Sequence, residues 1–200
     1  MKFPPGGVPV YILAGGRSSR FGTDKARALA EGEPLLTTVA ERVRPYASSV
    51  AVVAARAGQY RDLGLRTLGD LRPGLGPMGG LATALADMDR PGWLALIACD
   101  WAGLRGEWLV SLKHAARPGD CCVLYAPDAG KPEPLFALYH HAIAPAVREH
   151  LDRDERAMRT LIDAVPHRVL AVPPGWEQAR NINRVDDIEA FRAPKGTPHA

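Results

Sequence analysis

The stretch Val8-Pro-Val-Tyr-Ile-Leu-Ala-Gly-Gly-Arg-Ser-Ser-Arg-Phe-Gly-Thr-Asp-Lys25 decides how the rest of the chain is read. Val10 to Leu13 is a short apolar run and predicts a buried strand. It empties into a loop holding Gly15, Gly16 and Gly22 together with Arg17, Arg20 and Lys25. Glycine lets backbone N–H groups approach a bulky anion, because no Cβ intervenes. Successive N–H groups in such a loop form a concave anion site, and the three cations add full charge. A strand running into a basic, glycine-rich loop therefore predicts a phosphate cradle. Two common cradles are excluded by spacing. Gly22 is followed by Thr23-Asp24-Lys25, not by the Lys-Ser/Thr of a Walker loop, and Gly15-Gly16-Arg17-Ser18 does not supply Gly-x-Gly-x-x-Gly.

Working outward, the remaining elements alternate. Leu35, Leu36, Val39, Val43 and Tyr46 recur at helical spacing, and Pro45 limits that helix. Residues 49–55 and 65–68 read as strands, the second ending at Gly69-Asp70. Arg72-Pro-Gly-Leu-Gly-Pro-Met-Gly-Gly80 reads as a second glycine-rich loop, followed by a helix over 81–88. Trp93 to Cys99 is continuously apolar, as in a central strand covered on both faces, and it ends at Asp100. Further strands are predicted at 121–126, 134–139 and 168–172, with helices at 107–116, 143–151, 156–165 and 185–191. Such alternation predicts an α/β fold with a parallel sheet, in which ligands bind beyond the carboxyl ends of the strands. The loop after Leu13, Asp70 and Asp100 all fall at such ends. His140 and His141 follow a strand, and adjacent strand residues point to opposite faces.

Composition bounds the function. Two hundred residues suit one domain, read here as 1–193 with a frayed tail at 194–200. A net charge of +3 is too small to argue for nucleic acid and suits a local basic pocket. Cys99, Cys121 and Cys122 are odd in number and lack metal-ligand spacing, so reduced thiols in a cytoplasmic protein are expected. Met1 to Pro9 has no apolar core of a signal peptide, and no apolar run is long enough to span a bilayer.

The string Leu13-Ala-Gly-Gly-x-Ser-x-Arg-x-Gly-x-Asp-Lys25 resembles the signature of the nucleotidyltransferases that act on the molybdenum cofactor, and within these it is most similar to the guanylyltransferases. The resemblance implies a single Rossmann-like, three-layer domain of the nucleotide-diphospho-sugar transferase type, with a mostly parallel sheet. It implies transfer of GMP from GTP to the phosphate of molybdopterin, with release of pyrophosphate. The site residues follow position by position. Lys25 and Arg20 clamp phosphates, and Leu13, Ala14, Gly15 and Gly16 present backbone groups to GTP. Gly15, where cytidylyltransferase relatives often carry Ala, goes with guanine. Asp100 matches the family's Mg²⁺-binding carboxylate, and Asp70 a nucleotide contact. Gly76 and Gly80 match the family's second glycine loop, which implies close approach of nucleotide or pterin, and Asn181 and Asn183 match its Asn-x-Asn, which implies reach to the metal or the acceptor phosphate. Position alone also allows Asp100 and the asparagines as caps, Asp70 as a turn residue and the glycines as turn formers. The chain departs from the family pattern at Val53, Trp101 and Arg184. Expected partners are GTP, molybdopterin, and molybdenum-insertion and molybdoenzyme-maturation proteins, with no nucleic acid and no membrane. Two other readings stay open at this point: a CTP- or other NTP-dependent transferase acting on a phosphorylated acceptor, and a GTP-binding accessory protein.

Overall fold

The structure, a computed structural model, describes residues 7–15, 24–30, 32–127, 131–182 and 187. Gly16, Arg17, Arg20, Gly22, Asn183 and Arg184 lie outside the described residues, as do the tail and nearly all of the expected helix at 185–191.

Seven strands form one sheet: β1 Val8–Leu13, β2 Ala47–Ala54, β3 Thr67–Gly69, β4 Trp93–Ala98, β5 Cys122–Ala126, β6 Phe136–His140 and β7 His167–Ala171. Their order across the sheet is β7-β5-β6-β4-β1-β2-β3. All neighbours pair in parallel except β6, which runs antiparallel to both β4 and β5. Among the described residues, five helices cover the sheet: α1 Leu35–Val43, α2 Gly76–Ala86, α3 Trp108–Ala115, α4 Ala144–Asp152 and α5 Met158–Asp163.

Strand residues of alternate parity feed two cores. Val10, Ile12, Val52, Ile97 and Leu138 pack under α1 and α3, whereas Tyr11, Leu13, Val53, Leu96 and Tyr139 pack under α2, α4 and α5. A central strand with an apolar side chain on both faces must be covered on both faces, which gives a three-layer α/β/α domain. Helix α1 buries Leu35, Leu36, Val39, Ala40 and Val43, a 3.6-residue stripe. Pro45, lacking an N–H, ends the regular helix, and a 3₁₀ turn over Arg44–Tyr46 follows.

Two expectations are corrected. The second glycine stretch is helical from Gly76, so the helix expected at 81–88 starts five residues earlier. Gly79 and Gly80 sit inside it because the helix lies too close to its neighbours for side chains there. A Cβ on Gly80 would stand 2.6 Å from Leu13 Cδ2, and one on Gly79 2.6 Å from the Arg72 carbonyl oxygen. The two histidines do not point apart: their ring centroids are 4.5 Å from one another. His140 ends β6 while His141 opens a 3₁₀ turn, so strand alternation does not hold across the pair.

Candidate active site

The chain reverses its direction of growth at β1. β2 and β3 are added on one side, and β4 is placed on the other. At such a switch point the loops leaving two neighbouring strands part and open a crevice at the carboxyl edge. β1 and β4 stay joined to the end, with Cys99 N–H donating to the Leu13 carbonyl at 3.1 Å. Beyond that bond, Ala14 and Gly15 leave on one strand and Asp100 on the other.

Lys25 enters the same crevice. Its Nζ donates to Asp100 Oδ2 at 2.8 Å, with the two side chains only 18% and 21% exposed. The partners are seventy-five residues apart in sequence, and sheet order brings them together. Lys25 opens a 3₁₀ turn, Lys25–Arg27, capped by Asp24, whose carboxylate accepts the Ala26 N–H at 3.1 Å. That carboxylate is anchored from below by Tyr60, fully buried, whose hydroxyl lies 3.1 Å from both Asp24 oxygens and 3.4 Å from the Ala14 carbonyl. Burial, followed by the Asp24 charge, pushes the Tyr60 phenol well above its ordinary range, so it remains a donor. Arg27 pairs with Asp62 and lies over the Tyr60 ring.

Asp100 has one oxygen on Lys25. The other, Oδ1, is buried and has no hydrogen-bond partner among the described residues. A buried anionic oxygen without a donor is costly, and a cation beside it removes the cost. An oxygen-only donor at a sheet edge fits a hard divalent ion such as Mg²⁺, which takes one or two carboxylates plus waters and phosphates. The neighbouring Cys99 thiol is pushed up to about 12 by burial, with the Asp100 charge adding to it. Gly15 faces open space: no described atom lies within 4 Å of where a Cβ would stand.

Asn181 reaches the crevice by its backbone. Arg180–Asn181 pairs antiparallel with Trp101–Ala102, and Ile182 N–H donates to the Asp100 carbonyl at 2.9 Å. Trp176 holds this segment down, packing at 5.0–5.2 Å on Trp108, Trp101 and Tyr125 and at 5.8 Å on Phe136. Trp101, which departs from the family pattern, turns into this aromatic cluster and is buried there. Val53 is likewise a core residue under α2.

The structure thus gathers Leu13, Ala14, Gly15, Lys25, Asp100 and the Asn181 backbone. Asp70 stands at the end of the edge strand, three strands from β4, or about 14 Å at ordinary strand spacing. Its Oδ1 accepts from Arg72 N–H at 2.9 Å and from the Thr83 hydroxyl at 3.1 Å, so it shapes the turn into α2. Gly76 has φ +65° at the start of α2, a conformation that suits glycine, and Gly80 abuts Leu13. Sequence reading missed Tyr60, which sits in no motif and reaches Asp24 from the loop between β2 and β3.

Among the described residues, no helix is long and apolar enough to cross a membrane. Comparison with known proteins agrees with this architecture. Residues 10–169 match the model of the MobA-like NTP transferase domain. A probable molybdenum cofactor guanylyltransferase from Deinococcus radiodurans is 40% identical over 177 residues, covering 88% of this chain and 90% of the relative. Another, from Methanothermobacter thermautotrophicus, is 35% identical over 191 residues, covering 90% and 96%. Among solved structures, molybdopterin-guanine dinucleotide biosynthesis protein A from Archaeoglobus fulgidus shares the fold with a TM-score of 0.77, at 23% identity over 92% of this chain and 96% of that one. Motif, sheet order and relatives converge, and the chain belongs to the MobA-like NTP transferase family.

Proposed function

We infer that this nucleotidyltransferase is a molybdenum cofactor guanylyltransferase, joining GMP from GTP to the phosphate of molybdopterin and releasing pyrophosphate. The names of its relatives support this reading. The single observation that carries the chemistry is the Lys25–Asp100 pair at the switch point, with Asp100 Oδ1 without a donor among the described residues.

The reaction forms one P–O bond, from an acceptor phosphate oxygen to the α-phosphorus of GTP, and breaks the bond from that phosphorus to the bridging oxygen of pyrophosphate. The acceptor is already an anion, so no strong general base is required. The chain's task is to hold two anions in line and to neutralise charge as it shifts onto the leaving group. Lys25 serves as a compact cation for the triphosphate, exchanging Asp100 for phosphate oxygens as the ligand enters. Asp100 would hold Mg²⁺, which when bound would supply charge neutralisation and a fixed template. Tyr60 and Asp24 keep the Lys25 turn in place. Among the described residues nothing stands within 4 Å of a Cβ at Gly15, which suits close approach of a purine.

The test is pyrophosphate release from each of GTP, CTP, ATP and UTP, with molybdopterin and Mg²⁺ supplied. GTP is expected to be preferred, and Asp100→Ala to lower turnover by about 100-fold or more while GTP still binds weakly. Undiminished turnover in that variant overturns the assignment of Asp100, and preference for CTP overturns the guanylyl reading.

A further inference from the structure

The outer face of α2 carries no charge. The helix runs Gly76-Pro-Met-Gly-Gly-Leu-Ala-Thr-Ala-Leu-Ala86, and its one hydroxyl, on Thr83, is buried and bonded to Gly79 and Asp70. A surface helix ordinarily turns charged and polar side chains outward. Here the outward residues are the half-buried Ala82 and Leu85 and the exposed Ala86, at i, i+3 and i+4. Helix α4 lies against α2 and turns Ala144, Val147, Arg148 and Leu151 to the same side, at i, i+3, i+4 and i+7. A groove of about 370 Å³ runs between the two stripes, and Leu71, an apolar side chain left 64% exposed, lines it too. Its charged lining residues are Arg72 and Arg148, both exposed. Neither guanidinium has a hydrogen bond or ion pair among the described residues, whereas Arg153 and Arg156, just beyond α4, each pair with a carboxylate.

We propose that this groove docks a helix of a partner protein, one with apolar residues at i, i+3, i+4 and i+7 and with Asp or Glu on its flanks. The apolar ridge seats on the two stripes, as amphipathic helices do in hydrophobic grooves, and the carboxylates meet Arg72 and Arg148. Charge complementarity selects this occupant. A second copy of the chain, docked about a two-fold axis, brings the same two arginines to the contact and no carboxylate from the groove. A small anion finds cations at the rim only, because the other lining residues are all apolar. Helices α2 and α4, eleven and nine residues long, extend about 14 to 17 Å, room for about three turns of a partner. The groove starts at Leu71 and Arg72, directly after Asp70, so the partner sits beside the second glycine stretch.

The experiment uses two synthetic stapled helical peptides of about 15 residues, each with Leu at i, i+3, i+4 and i+7, one flanked by Glu and the other by Lys. Fluorescence anisotropy measures their binding to the unmodified protein, to R72E/R148E and to A86E. The Glu peptide is expected to bind the unmodified protein about tenfold more tightly than the Lys peptide, and R72E/R148E to reverse that preference with its thermal midpoint unchanged. Ala86→Glu places a carboxylate on the outer stripe and is expected to weaken the Glu peptide about tenfold. Equal or absent binding of the two peptides overturns the proposal, as does a preference that R72E/R148E leaves in place. Undiminished binding of the Glu peptide by A86E overturns the groove as its seat. A dimer of the protein alone, seen in sedimentation and dissociated by A86E, gives the face to a second copy and likewise overturns the proposal. Should R72E/R148E melt early, R148E decides: loss of most of the preference supports the docking site, and full retention overturns it.

Discussion

Lys25 and Asp100 illustrate what one residue can and cannot disclose. Each was legible from its neighbours in sequence: a lysine closing a glycine-rich loop, an aspartate ending an apolar run. Their contact was implied only by the rule that carboxyl edges gather ligands. Tyr60 was not legible at all, since a tyrosine in a loop after a strand has no signature, and its bond to Asp24 spans thirty-six residues. Tyr60→Phe removes a buried donor from a carboxylate and leaves Gln59 without its acceptor. That change is expected to cost about 2 kcal/mol in a urea titration and to weaken binding of a fluorescent GTP analogue, because the turn carrying Lys25 loosens. Unchanged stability and affinity would show that the hydroxyl does not hold the turn.

At the scale of elements, the period-two and period-3.6 patterns located the strands and helices of the main sheet within a few residues. The second glycine stretch was misread because intrinsic propensity argues against a glycine-rich helix, whereas close packing on Leu13 and Arg72 demands one. Gly79→Ala tests this. The new Cβ meets a backbone carbonyl at 2.6 Å, which must shift at about 2 kcal/mol, against about 1 kcal/mol gained in helix propensity. A lower denaturation midpoint is expected. Gly92→Ala, with nothing within 4 Å of its Cβ, is the control and should stay within about 0.5 kcal/mol. The reversed direction of β6 left no local mark in sequence either, because strand direction is a property of the neighbours.

Across the whole molecule, the Lys25–Asp100 pair is not the only charge cluster. Away from the crevice, Arg66 donates twice to Asp87, at 2.7 and 2.6 Å, and the Tyr11 hydroxyl donates to the same carboxylate at 2.9 Å. Arg66 first, and Tyr11 with it, hold the Asp87 carboxyl below the usual carboxylate range. A carboxyl depressed on folding contributes fully above its unfolded value, and the contribution fades as pH falls through the folded one. The protein is therefore expected to lose this increment below about pH 4, so that the stability gap to Asp87→Asn narrows between pH 7 and pH 3 in urea titrations. A gap that stays constant would mean that the cluster adds nothing. Three of the four tryptophans, Trp101, Trp108 and Trp176, belong to the ring cluster beneath the Asn181 segment, and Trp101 directly follows Asp100. The protein thereby carries its own optical probe: arrival of a nucleotide at the carboxylate should be visible in indole emission, with no dye attached.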